Sequence, residues 1–536
     1  MFALFLPALL FAQPPARLRT GYDSIRPPIL KADLTFISSD ALDGRMSLQR
    51  GSEVAVQWIA AQFAKAGLKP AAGDSFLQPV PLIEFTTDRN LTSVGITFDN
   101  HREVFHAPDA TANFPEEVSV AAPVVFAGYG ITAPELNYDD YAGIDAKGKI
   151  VLVFNHEPQE AEASSVFNGQ GNTIYANSTW KVFNAERHGA RAVLVMPEPN
   201  HQGPTRRTTA ATARIAPEAL SEGGPAIPLF SITARVANAL FAAAGKKAAA
   251  IQSAIDSKLT PVSFDVPGAE IELRTALAER RRGTSWNVAG LIEGSDPALK
   301  AETIIFSAHF DHNGAGPDGI YHGADDNGSG TVGVVALAHA FTSNPVKPRR
   351  SLLFIVFAAE ERGLLGAYYY VSHPLRPLAT TRAQINCDMI GRNEAADPRV
   401  ITEISPDTSN QLGLVGTDYS PDYRETIERQ NKTVGLNLTY KWDRDAYNGV
   451  LFRSDHYPFL MHGIPAIWWF TGFHPDYHQV TDTVDKINFE KMAKILKLAY
   501  LSGFEFAEEP HPPRFEPRAK SNWRTNPERA SAFQSR

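Results

Sequence analysis

Two short stretches, Thr303 to Ala308 and Leu352 to Ala358, are largely apolar and are bounded by polar or turn-forming residues. Runs of that length and composition predict strands buried on both faces of a sheet. Between and beyond them the pattern predicts helices at Gly330 to Phe341, Leu364 to Ser372 and Pro421 to Gln430. It also predicts strands at Gln384 to Asp388 and Ala466 to Phe470, and a closing helix from Phe489 to Ala507. Strands alternating with helices predict an α/β fold, a mixed and mostly parallel sheet with helices on both faces.

Upstream the pattern differs. From Leu30 to Leu82 it is largely helical, with Val56, Ile59, Ala60 and Phe63 at helix spacing and a stop at Gly67, before an extended segment from Phe76 to Pro81. From about Val118, short apolar runs at Val124, Ile150 and Ala192 are separated by Gly, Asn and Asp turns and read as a second, smaller α/β unit. Pro204 to Glu218 is polar and reads as an exposed loop of that unit, which closes near Asp265. Ala269 to Glu279 then alternates as a strand. These changes divide the chain into an opening segment 1–12, an N-terminal part 28–115 of the larger unit, an inserted unit 116–268, the rest of the larger unit at 269–508, and a tail 509–536. The tail, with Pro510, Pro512, Pro513 and Pro517, reads as poorly ordered.

A chain of 536 residues with 43% hydrophobic and 10% aromatic content is long and apolar enough for more than one packed core. Its formal charge of -8 lacks the basic excess that phosphate backbones require, which argues against nucleic acid as a partner. Met1 to Ala12 is an apolar run too short to span a bilayer and reads as a secretory leader, so the protein is expected to be exported, periplasmic or secreted. No later stretch suits a membrane span, and nothing in the sequence sets an oligomeric state. The single cysteine, Cys387, excludes an intramolecular disulfide and reads as a buried small residue.

The candidate chemistry lies at the ends of the predicted strands. His309, Asp311 and His312 follow the first; Asp325 and Asp326 precede the Gly330 helix; Glu360 and Glu361 follow the second strand; Asp388 ends the third. In open α/β sheets that edge is where ligands bind. Imidazole and carboxylate donors in this number suit a pair of divalent cations bridged by one carboxylate, with one acid left over to handle a proton. A helix cap before Gly328 is the plainer reading of Asp325 and Asp326, and a solvated first turn that of Glu360 and Glu361. The apolar strand before the latter pair places them instead at the end of a buried element. No Gly-x-Ser-x-Gly elbow supports a serine hydrolase.

These residues carry a family resemblance. The stretch from Trp286 to Leu498, with the segment from Ser38 to Arg45, resembles the M28 family of zinc peptidases. The middle unit resembles a protease-associated (PA) domain around Phe126 to Glu135, Tyr138 to Ile150 and Gly189 to Leu194. The resemblance implies two Zn2+ ions per chain, one held by His309, Asp326 and Asp388 and the other by Asp326, Glu361 and His478. It implies Asp311 as the carboxylate orienting His309, and Glu360 as the catalytic general base. His474 competes with His478 for the last position; the Thr-Asp-Thr after His478 matches the family pattern. His456 matches a segment near the active site, His312, His322, His339 and His373 read as ordinary histidines, and Trp468 to Phe470 reads as core strand. The implied function is a metal-dependent aminopeptidase acting on peptide substrates, with the PA-like unit as a lid. The same resemblance also covers carboxypeptidases, glutaminyl cyclases and receptor-like proteins without catalysis. Arg392, Arg444 and Arg453 lie in segments that could reach the pocket.

Overall fold

The computed structural model describes residues 13–517 except 99, 161, 163, 170, 201–215, 402, 446 and 447. The expected leader at 1–12 and the end of the tail from 518 lie outside the described residues. The main sheet contains β1 (Leu77–Thr87), β2 (Glu218–Leu220), β3 (Leu277–Ile292), β4 (Thr303–His309), β5 (Ser351–Phe357), β6 (Thr381–Cys387), β7 (Gln411–Val415), β8 (Asn437–Thr439) and β9 (Ala466–Phe470), with the short Lys69–Pro70 strand beside β3. Its order is β2-β1-β3-β5-β4-β6-β9-β7-β8. The central four, β5-β4-β6-β9, pair in parallel, and the flank β2-β1-β3-β5 is antiparallel. The sheet is therefore mixed, with helices on its faces, as the alternation of runs predicts.

Every residue of β4, β5, β6 apart from Arg382, and β9 is buried, the condition that leaves a strand apolar on both faces. Alternate side chains go to different cores. Ile304, Phe306, Leu352, Phe354 and Val356 pack with the helices Arg50–Lys65, Gly330–Ser343 and Phe489–Glu508. Ile305, Leu353, Ile355 and Phe357 pack with Leu365, Tyr370 and Phe459 on the opposite face.

The boundary between units differs from the expected one. Ser93–Phe98, His101–Phe105 and Ala110–Ala112, assigned from sequence to the larger unit, are strands of a second, eight-stranded sheet that also holds Val118–Ala127, Ile150–Phe154, Ala192–Met196, Leu229–Ile232 and Ser263–Thr275. Ser263–Thr275 continues through Ala269 in that sheet because the register shift between Asp265 and Glu270 absorbs the Val-Pro-Gly interruption instead of ending the strand. Glu218, expected in an exposed loop, instead begins β2 on the edge of the main sheet, where its carboxylate accepts from Ser47 Oγ at 2.7 and 2.9 Å. The second unit also touches the first through Ile174. Ile174 N donates to Tyr419 Oη (2.9 Å) and Tyr457 Oη donates to Ile174 O (2.8 Å).

Arg45 fastens the N-terminal segment to the site edge of the sheet. Its fully buried guanidinium donates to the carbonyls of Phe310 (2.7 Å), Ile37 (2.7 Å), His322 (2.6 Å) and Gly323 (2.8 Å). Burial lowers its pKa to about 10, opposed by the field of Asp482, Asp311, Asp326 and Glu361, so it stays charged at neutral pH. Gly44 beside it must be glycine: its φ is +67°, and a Cβ there would lie 2.4 Å from Gly314 O. Arg45→Met keeps the volume but strands four buried carbonyls. It is expected to lower unfolding stability by about 4 kcal/mol, read as a shift of the urea midpoint at constant slope.

Candidate metal centre

The central parallel strands deliver the site residues to one edge. His309 is the last residue of β4, Glu360 and Glu361 follow β5, Asp388 follows β6, and the loop after β9 carries His474 and His478. The chain steps from β4 outward to β5, then back across β4 to β6, so the sheet has its switch point beside β4, where ligand-binding crevices of open α/β sheets form. Ala359 (φ 54°), Met389 (φ 56°) and His478 (φ 55°) adopt left-handed backbone although none is glycine. Each costs on the order of 1 kcal/mol, and their clustering at the candidate ligands marks a functional edge.

The donors converge in two groups that share Asp326. His309 Nε2 lies 3.4 Å from Asp388 Oδ1, 3.5 Å from Asp326 Oδ1 and 3.6 Å from Glu360 Oε2. His478 Nε2 lies 2.9 Å from Asp326 Oδ2 and 3.1 Å from Glu361 Oε2. Asp326 thus turns one oxygen to each group. His309 Nε2 and Asp388 Oδ1 are buried with no hydrogen-bond partner among the described residues. Such atoms carry a desolvation cost that a bound cation would relieve, so the donor set fits divalent metal. Burial pushes the Glu360 carboxyl well above its usual range, with His309 opposing. The His309 imidazole, which burial alone would lower, is carried well above its range by Glu360 and Asp388.

Around the donors, backbone and side chains fix each group. The Asp311 carboxylate accepts from the backbone N–H of Glu360 (3.0 Å) and Glu361 (3.2 Å). His309 Nδ1 lies nearer the Asp311 carbonyl (3.2 Å) than its carboxylate (3.8 Å), so Asp311 orients the two glutamates at least as much as the imidazole. Ser454 Oγ donates to Asp388 Oδ2 at 2.6 Å and accepts from Asn386 Nδ2 at 2.7 Å. The helix cap goes to neither aspartate: Asn327 Oδ1 accepts from Gly330 N at 2.8 Å. Asp325 instead accepts from Gly391 N (2.7 Å) and faces His474 Nε2 (3.2 Å), which places His474 behind the centre and His478 in it. Asp482 accepts from the N–H of both Asp325 and Asp326, closing the loop that carries His478.

Several residues escaped the sequence reading. His312, read there as ordinary, has Nδ1 2.7 Å from Glu361 Oε1 and forms a candidate metal-holding group with Asp326 and Glu361. Its spacing three residues after His309 was the available signal. Asp455 is fully buried with neither carboxylate oxygen hydrogen-bonded among the described residues, and burial holds it well above the usual carboxylate range. His456 is buried and its pKa falls to about 3 through burial. Trp468 belongs to the core strand and donates Nε1 to Asp388 O at 2.8 Å. Burial pushes the Cys387 thiol up to about 12, which leaves it unreactive. A further group in the second unit, His156, Glu160 and Glu198, lies near the buried Lys181, whose ammonium donates to the carbonyls of Tyr129 and His156. Of the three candidate arginines, Arg392 pairs with Asp476 (2.8 Å) and Arg444 with Asp418 (2.5 Å), while Arg453 donates to Tyr477 Oη (2.9 Å).

Residues 287–501 match the model of Peptidase family M28. Leucine aminopeptidase 2 of Arthroderma otae is 30% identical over 226 residues, 38% of this chain and 41% of that protein. A probable leucine aminopeptidase 2 of Aspergillus fumigatus is 32% identical over 190 residues, 35% of this chain and 34% of that protein. The matches therefore span well under half the length of these relatives. Among solved structures, an aminopeptidase from Aneurinibacillus sp. strain AM-1 aligns over 94% of this chain and 98% of its own at 21% identity and a TM-score of 0.47. A zinc aminopeptidase from Bacillus subtilis aligns over 95% and 98% at 20% identity and a TM-score of 0.41. Over residues 287–501, then, the chain is similar to peptidase family M28.

Proposed function

We propose that the protein is an exported, di-zinc aminopeptidase that releases N-terminal residues from peptides. The observation that carries the reading is Asp326, whose two oxygens lie 3.5 Å and 2.9 Å from imidazole nitrogens of separate donor groups, the disposition a bridging carboxylate requires. His309 and Asp388 would hold one ion with Asp326; Glu361 and His478, with His312 alongside, would hold the other. Bound there, the ions would supply Lewis acidity to the scissile carbonyl and make water a stronger acid. Glu360 accepts the proton of the attacking water and returns it to the leaving amine nitrogen as the C–N bond breaks. The free amine of the substrate is recognised by the surplus of carboxylates at this edge. Names of relatives at about 30% identity support the aminopeptidase reading.

The second unit is read as a PA-like domain that, docked through Ile174 on Tyr419 and Tyr457, limits the size of the peptides that enter. Export rests on the apolar opening 1–12 of the sequence. Dipeptides with free and blocked ends test the reading. N-acetylation is expected to abolish turnover, whereas C-terminal amidation only lowers it. Turnover of acetylated dipeptides with loss on amidation would show a carboxypeptidase.

A further inference from the structure

Arg453 differs from its two neighbouring arginines in having no carboxylate partner among the described residues. Arg392 and Arg444 are neutralised by Asp476 and Asp418. The half-buried Arg453 makes one side-chain hydrogen bond, from Nη2 to Tyr477 Oη at 2.9 Å, and its Cζ lies 4.9 Å from the ring centre of Phe473 and 5.6 Å from that of Tyr477. Stacking on aromatic faces fixes the plane of a guanidinium and leaves its remaining in-plane donors free.

The position matters as much as the vacancy. Tyr477 stacks on His478 with ring centres 3.9 Å apart, and Ser454, the residue after Arg453, donates to Asp388 Oδ2 at 2.6 Å. Arg453 is therefore tied, through one neighbour each, to a donor of either half of the centre. A dipeptide spans about 7 Å from amine to carboxylate, so an anion at its far end falls just beyond the groups that take its amine. A planar, half-buried fork stacked beside Tyr477, the neighbour of His478, suits bidentate recognition of a carboxylate there.

We propose that Arg453 is a specificity-determining residue that receives a substrate carboxylate at the rim of the centre. The inference rests on the aminopeptidase reading and adds a preference to it: for very short peptides through their C-terminal carboxylate, or for acidic side chains at the N-terminal residue.

The test uses full-length, zinc-loaded protein carrying Glu360→Gln, so that calorimetry reads binding without turnover. The probes are leucyl-leucine, leucyl-leucinamide and glutamyl-leucinamide, each titrated with and without Arg453→Gln, which removes the charge but keeps an N–H donor for Tyr477. Arg453→Gln is expected to reduce the affinity ratio of leucyl-leucine to leucyl-leucinamide about tenfold, the scale of one charge-assisted hydrogen bond. A fall in the ratio of glutamyl-leucinamide to leucyl-leucinamide instead assigns the carboxylate to the N-terminal side chain. If neither ratio changes, or if Tyr477→Phe changes them as much, Arg453 only holds Tyr477 and the proposal is overturned. Failure of the aminopeptidase reading shows separately, as native enzyme that binds leucyl-leucine through Arg453 without hydrolysing it.

Discussion

Glu360→Gln is expected to lower kcat by about 10²–10⁴-fold, the range general-base catalysis supplies, while the protein still takes up two zinc ions per chain. The substitution is nearly isosteric and keeps the backbone N–H that donates to Asp311 Oδ1, so the loop after β5 holds its shape. What disappears is the one carboxylate of the centre that the proposed metal scheme leaves without an ion. Geometry makes the experiment decisive, because Glu360 Oε2 lies only 3.6 Å from His309 Nε2 and forms a compact group with His309 and Asp388. If Glu360 were a ligand, the variant would lose zinc as well as rate. Retained metal with lost turnover assigns it to proton transfer; a drop to one ion per chain refutes that assignment.

Chelation is the second large effect. Removing metal is expected to abolish hydrolysis by at least about 10³-fold, the several kcal/mol that Lewis acidity contributes, and two equivalents of zinc are expected to restore it. A thermal signature accompanies the loss. The centre concentrates Asp326, Glu360, Glu361 and Asp388 within a buried edge, and at free zinc one hundred times the dissociation constant each occupied site stabilises the fold by about 2.7 kcal/mol. Titration of the chelated protein by calorimetry, with activity followed in parallel, checks both. Full activity after one equivalent, with no further uptake, would contradict the paired site.

The candidate site was readable where donors end buried strands, because such strands announce themselves as apolar runs and their last residues are covalently committed to one edge. His309, Glu360 and Asp388 follow from that rule alone. His478 does not: it sits in a loop beyond β9, at φ 55°, and only the family resemblance singled it out. Asp482 and Arg45 act through backbone atoms of distant segments, an interaction with no periodic trace. The fold shows the same division. The central strands were found, but β7 and β8 were missed, being short and, in β7, interrupted by Gly413. The segment from Ser93 to Ala112 was read only as part of the larger unit, whereas its strands pair in the second sheet, since short strands are placed by their partners more than by their own composition.

Arg45 reaches Phe310 across 265 positions of sequence, and Tyr500 Oη donates to Leu18 O across 482. The pieces of the centre made earliest on the ribosome therefore wait for the last. Closing such spans costs entropy that only the finished contacts return, and topologies of this kind fold slowly. His309, His312, Asp326, Glu361 and Asp388 all precede His478 in the chain, so the group of candidate donors is complete only once the loop after β9 has been made.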